Sequence, residues 1–119
     1  MKSFSVTLLM ALFVASSLFA QSDKYTGAMK KNITELDDAL KNNSMAALAG
    51  NFERIATAEK TQWLPYYYAA YANHLTGWMN PKADKDKVAA KSKDLLTKAE
   101  VLEKDNAELW VLHQMITVQ

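Results

Sequence analysis

The chain has 119 residues, a formal net charge of +1 and no cysteine. That length allows one domain, and without disulfides its stability must come from packing alone. The nearly balanced charge gives no electrostatic reason to expect binding to nucleic acid or to an anionic membrane surface.

The first 20 residues have the pattern of a secretory signal peptide. A short basic head precedes a mostly apolar run at 4–19, and a polar, charged sequence follows it. The run is shorter than the roughly 20 residues of a membrane-spanning helix, so residues 1–20 are predicted to be a leader. We expect cleavage after Ala20, with cleavage after Ser17 as the alternative. The mature domain, residues 21–119, is then exported to the periplasm or secreted, with no membrane insertion after cleavage.

Apolar residues of the mature sequence recur at helical spacing in five runs. In chain order, these runs extend from Tyr25 to Leu40, from Met45 to Ile55, from Tyr68 to Trp78, from Val88 to Leu102 and from Leu109 to Ile116. Glycine and proline are rare, and no alternating strand pattern interrupts the runs. Short links between helices favour antiparallel neighbours. The sequence therefore predicts an all-α fold of about five helices, arranged as antiparallel hairpins.

Local signals predict where the helices begin and end. Ser44 is expected to cap the second helix, and Asp105 the fifth, because short polar side chains accept hydrogen bonds from the first turn. The third helix is expected to begin at Pro65, since proline suits a first turn, and to end at Asn80. The link at residues 82–87 is expected to precede the fourth helix.

Part of the pattern has the spacing of a helical repeat. The residues that carry it are Tyr68, Tyr71, Ala72 and Leu75 on the third helix, Leu96 and Ala99 on the fourth, and Trp110 on the fifth. Trp110 follows Tyr68 by 42 positions, whereas the repeat has a period of about 34 residues. One insertion in the link at 80–87 accounts for the difference. The segment resembles a tetratricopeptide-repeat-like exported protein of Gram-negative bacteria.

The resemblance implies a short solenoid of stacked hairpins with a concave groove for extended peptides. In that arrangement Tyr68 and Tyr71 pack between the two helices of one hairpin, and Trp78 extends the same buried stripe. A different face of the third helix then lines the groove. The residues predicted to bind a partner there are Tyr66, Ala69 and Asn73.

The last helix is apolar on more than one side. One side carries Leu109, Leu112 and Ile116, and the other carries Val111, Met115 and Val118. A helix of this kind has to be covered on both sides. We therefore expect the chain to be a fragment of a longer protein, or to associate with itself or a partner through Val111, Met115 and Val118.

Few residues have the spacing that catalysis or metal binding needs. His74 and His113 lie on different helices, and neither has a histidine or carboxylate four residues away. No metal, cofactor or catalytic residue is expected. The predicted function is a protein or peptide interaction module without activity of its own, whose partner is unknown. The alternative is a small-molecule binding or catalytic domain that uses the aromatic cluster at Tyr66–Trp78.

Overall fold

The structure is a computed structural model that describes residues 23–118. These residues form six α-helices and no β-strand, which confirms the all-α prediction for the described part of the chain. The helices are α1 (residues 23–34), α2 (Leu36–Asn42), α3 (Met45–Ala58), α4 (Trp63–Met79), α5 (Lys85–Leu102) and α6 (Ala107–Thr117). The predicted leader lies outside the described residues. No helix within 23–118 is both long and apolar enough to cross a bilayer.

The first predicted helix is two helices, because the α-helical pattern is interrupted at Glu35. The Glu35 amide donates to the Asn32 carbonyl, three residues back, instead of to the carbonyl four residues back. The Thr34 side chain donates a hydrogen bond to the Lys30 carbonyl, and the Asn32 side chain donates one to the Ala28 carbonyl, each in the preceding turn. Such side chains compete with the backbone for its acceptors. The prediction of one continuous helix was wrong at this point.

The bounds of α4 and α5 also differ from the prediction. Helix α4 begins at Trp63, two residues before Pro65, so that the proline lies within the first turn. Helix α5 begins at Lys85, inside the predicted link, because the Asp84 carboxylate accepts a hydrogen bond from the Lys87 amide at 3.1 Å. An aspartate in this position compensates for the missing backbone acceptors of the first turn.

Helix α6 is capped by Asn106 and not by Asp105. The Asn106 side-chain oxygen accepts from the amides of Glu108 at 2.9 Å and Leu109 at 3.4 Å. Asp105 instead adopts a left-handed backbone conformation with φ 58°, which short polar residues tolerate better than most others. It therefore forms the turn before the helix.

Helix α4 is the centre of the molecule and packs against α3, α5 and α6. Its buried residues are mostly small; they are Pro65, Ala69, Ala70, Ala72, His74 and Gly77. Larger core side chains come from the neighbouring helices; among them are Met45 and Phe52 of α3, Leu96 of α5, and Leu112 and Ile116 of α6. Small residues on α4 let its neighbours approach closely, and its own large side chains are placed at the edges of the core.

Helices α4 and α5 approach each other closely at Gly77. A Cβ atom at this position would lie 2.8 Å from Cγ1 of Val88, which is well inside van der Waals contact. The Lys85 ammonium donates to the Gly77 carbonyl at 3.0 Å. The backbone of Gly77 is helical and its φ is not positive, so its conformation does not require a glycine. The close packing against Val88 is the reason why a small residue is needed.

Two tryptophans lie outside the core. The repeat pattern placed Trp78 in a buried stripe and Trp110 at the first aromatic position of the next unit. The two side chains are 64% and 66% exposed. The Trp78 ring lies 5.8 Å from the Lys85 ammonium. The prediction of a buried Trp78 was wrong.

Candidate functional site

Three aromatic side chains follow one edge of α4 at intervals of four residues. Trp63, Tyr67 and Tyr71, which we call the aromatic stripe, are all half-buried. Residues four positions apart lie above one another on a helix. The ring centroids of Trp63 and Tyr67 are 6.0 Å apart, and those of Tyr67 and Tyr71 are 6.4 Å apart with planes only 2° from parallel. The stripe is a row of evenly spaced rings along the helix.

The aromatic stripe is fixed to the core through Tyr68. The Tyr67 ring meets the Tyr68 ring edge-on, with centroids 5.2 Å apart and planes at 79°. Tyr68 in turn stacks on Phe52 of α3 at 5.2 Å and 21°, and Phe52 is completely buried. Tyr68 therefore packs on the α3 side of α4. The prediction placed it on the α5 side, within the α4–α5 hairpin.

Tyr67 and Tyr68 are held as neutral phenols. Burial raises the pKa of Tyr67 and of Tyr68, and the nearby Glu108 carboxylate of α6 raises both further. A phenol that stays protonated offers a hydrogen-bond donor on an otherwise apolar ring. Glu108 belongs to the first turn of α6, and α6 packs against α4.

The three residues predicted to line a groove are on the opposite edge of α4. Ala69 is fully buried and has no surface that a partner could reach. Asn73 uses its amide nitrogen within the fold, where it donates to the Val88 carbonyl at 3.1 Å and to the buried Ser92 hydroxyl at 2.8 Å. The face that carries Tyr66, Ala69 and Asn73 is thus directed towards α5. Tyr66 is half-buried there, and a role in partner binding stays a prediction.

The three residues predicted on the last helix are all exposed. Val111, Met115 and Val118 are 51%, 38% and 81% exposed, whereas Leu109 and Ile116 on the other side of α6 are buried. The sequence pattern therefore assigned the two sides of this helix correctly. Binding of a partner through the exposed side stays a prediction.

His74 is the one buried ionisable side chain of α4. It is 2% exposed, its Nδ1 atom has no hydrogen-bond partner, and its ring meets the Trp78 ring edge-on at 6.4 Å. Burial lowers the pKa of His74, and the positive charge of Lys85 lowers it further. A neutral imidazole in such a place has a structural role. Among the described residues, no group of three or more His, Cys, Asp or Glu side chains could hold a metal ion.

Sequence reasoning predicted none of the three stripe residues as partner-binding: Tyr71 was expected to pack within the hairpin, and Trp63 and Tyr67 were not singled out. Their signal was the interval of four residues that both share with Tyr71. The fold and the stripe define an all-α protein with an aromatic surface along its central helix. No family model matches the chain, and neither the curated proteins nor the solved structures searched include a significant match.

Proposed function

We propose that this chain is an exported, tetratricopeptide-like interaction module that binds an extended segment of a protein or peptide and has no catalytic activity of its own. The binding surface is the aromatic stripe, Trp63, Tyr67 and Tyr71, together with the neighbouring first turn of α6. The observation that carries the proposal is the regular spacing of half-exposed rings along α4.

The spacing of the rings fits an extended chain. Successive rings are 6.0 and 6.4 Å apart. In an extended peptide, side chains on one face recur every two residues, which is about 6.6 Å. Alternate apolar side chains of such a peptide would each meet one ring of the stripe. The protonated tyrosine hydroxyls would donate to its backbone carbonyls, which supplies the polar part of recognition.

The packing of the helices supports the repeat architecture. Each of the helices α2 to α5 packs on the next one in the chain, and α6 also contacts α4. In a solenoid of hairpins, the first helix of a unit touches both helices of the preceding unit, and α6 has this relation to α4 and α5. Together with the complete burial of Ala72 and Ala99, the small residues of the repeat-like pattern, this is the basis for proposing a tetratricopeptide-like stack.

The alternative, a small-molecule or catalytic site built on the same aromatics, has less support. Such a site needs accessible polar or titratable groups that converge beside the rings. Of the two candidates, His74 is buried and Asn73 is engaged with α5. Surface recognition therefore fits the aromatic stripe better than chemistry does.

A peptide display experiment tests the proposed binding. Random twelve-residue peptides would be selected on the wild-type protein and, in parallel, on a Tyr67→Ser, Tyr71→Ser variant. The matched control is Tyr25→Ser, because Tyr25 is a half-buried tyrosine on α1, outside the stripe. We expect peptides with apolar residues at alternate positions to be enriched on the wild type and the control, and to be lost on the double variant. Equal enrichment on all three proteins would refute binding at the stripe.

Export is tested separately. The proposal rests on the basic head and the apolar run within residues 1–20. The chain would be expressed in a Gram-negative host, and the N-terminus of the product would be sequenced. We expect it to begin at Gln21 or Leu18, and a product that retains Met1 would contradict the proposed leader.

A further inference from the structure

The end of α4 and the start of α5 are joined by a small group of side chains. The Lys85 ammonium donates to the Gly77 carbonyl at 3.0 Å and lies 5.8 Å from the centre of the Trp78 ring. The Trp78 ring in turn meets the His74 ring edge-on, with centroids 6.4 Å apart. We call His74, Trp78 and Lys85 the α4–α5 clip. It bridges the mostly exposed link at residues 80–84.

His74 is the buried member of the clip, and its surroundings fit the neutral ring. The side chain is 2% exposed, and its Nδ1 atom has no hydrogen-bond partner among residues 23–118. An imidazolium ion donates from both ring nitrogens, so protonation would leave a buried donor without an acceptor. It would also add a second positive charge near Lys85. Both effects disfavour the charged ring: burial lowers the pKa of His74, and the charge of Lys85 lowers it further.

The other charged groups of the helices around α4 are paired with each other or exposed. Glu53 of α3 forms an ion pair with Lys91 of α5 at 2.7 Å. The His113 Nδ1 atom of α6 lies 3.4 Å from the Glu100 carboxylate of α5. The remaining charged residues of these three helices are exposed; they are Arg54, Asp86, Lys87, Lys93, Asp94, Lys98 and Glu108. In the described part of the chain, Lys85 is thus the charged group that acts on His74.

We propose that the α4–α5 clip is an acid-sensitive switch. Protonation of His74 opens it: the imidazolium turns towards water, the Lys85 ammonium leaves the Gly77 carbonyl, and the last turn of α4 separates from the start of α5. The parts that move are already close to solvent, since Trp78 is 64% exposed and the link at 80–84 is mostly exposed. Helix ends and exposed links open at a lower free energy than the core, so α4 keeps its packing against α3 and α6. The switch does not depend on binding at the aromatic stripe.

The pH sets how often the clip is open. In the open form the His74 ring reaches water and has its ordinary pKa of about 6.5, whereas in the closed form its pKa is lower. Protons therefore bind the open form more tightly. Each pH unit below about 6.5 raises the ratio of open to closed clips by at most about tenfold, until the closed form titrates as well. Above that pH the clip stays closed.

Amide hydrogen exchange followed by NMR tests the opening. The Asn80 amide, which donates to the Thr76 carbonyl at 3.2 Å, reports on the last turn of α4. The matched control is the Glu59 amide, which donates to the Ile55 carbonyl at 2.9 Å at the end of α3. After correction for the intrinsic pH dependence of exchange, protection at Asn80 should fall by up to about tenfold per pH unit below about pH 6.5, and protection at Glu59 should stay constant. A parallel fall at both amides, or constant protection at Asn80, would overturn the proposal.

Two substitutions assign the opening to the clip. His74→Gln keeps a polar side chain of similar size that does not titrate, so the pH dependence of protection at Asn80 should disappear. Lys85→Gln changes an exposed residue. Because it removes both the charge near His74 and the ammonium on the Gly77 carbonyl, it should lower protection at Asn80 already at pH 7 and weaken its change with pH. An unchanged fall in His74→Gln, or a Lys85→Gln protein that behaves like the wild type, would show that the clip is not the switch.

Discussion

Replacement of Phe52 by alanine tests how α3 and α4 pack. The Phe52 side chain is completely buried and stacks on the Tyr68 ring at 5.2 Å. Its removal leaves a cavity at the centre of the molecule, and changes of this kind cost about 3–5 kcal/mol. The lost ring–ring contact is included in that figure and accounts for about 0.5–1.5 kcal/mol of it. Single domains unfold with a free energy of only about 5–15 kcal/mol, so the variant is expected to be marginally stable.

Urea denaturation followed by circular dichroism measures the effect. Phe52→Leu keeps most of the site filled and should lower the unfolding free energy by about 1–2 kcal/mol, less than the loss in Phe52→Ala. Trp78→Ala is the aromatic control, because its ring is mostly exposed, and it should cost less than about 1 kcal/mol. If Trp78→Ala were as damaging as Phe52→Ala, the assignment of the buried and exposed sides of α4 would be wrong.

Three further substitutions test contacts of α4. Gly77→Ala should lower the unfolding free energy, because overpacking against Val88 costs about 1–3 kcal/mol while the better helix propensity of alanine returns only about 1 kcal/mol. In a Val88→Ala background the same change should become neutral or stabilising. A loss of equal size in both backgrounds would contradict the close approach of Gly77 and Val88. Asn73→Ala should lower the unfolding free energy by about 1–3 kcal/mol in a urea titration, because it removes the hydrogen bond that the Asn73 amide donates to the buried Ser92 hydroxyl. An unchanged midpoint would show that this hydrogen bond contributes nothing. The pKa of His74 in the folded state lies below its unfolded value of about 6.5, so the unfolding free energy should be greatest above pH 6.5 and fall by at most about 1.4 kcal/mol per pH unit below it. His74→Gln should remove this part of the fall between pH 7 and 5. An identical pH profile in the variant would contradict the lowered pKa.

The helices were predictable because their signal is distributed over many residues. The apolar positions of α3, α4, α5 and α6 repeat at helical spacing, so the existence of each helix survives an error at any one position. The exact ends depend on one side chain each. Asn106 and Asp105 are adjacent and both suit a cap, and only the backbone conformation decides that Asn106 accepts the hydrogen bonds. The interruption at Glu35 similarly is a local matter, in which one backbone amide bonds the carbonyl three residues back.

The rotation of α4 about its own axis was less predictable, because the sides of this helix that could face the core look alike in the sequence. Aromatic residues occur all around this helix, and size alone suggests that the largest side chains are buried. The structure buries Ala69, Ala72 and Gly77 instead, since three neighbours can approach one helix closely only where its side chains are small. The large rings are then excluded to the edges, where they are half-exposed and evenly spaced. The candidate site is thus a consequence of how the core is packed, and spacing within α4 alone cannot reveal which edge stays open, because that depends on where α3, α5 and α6 lie.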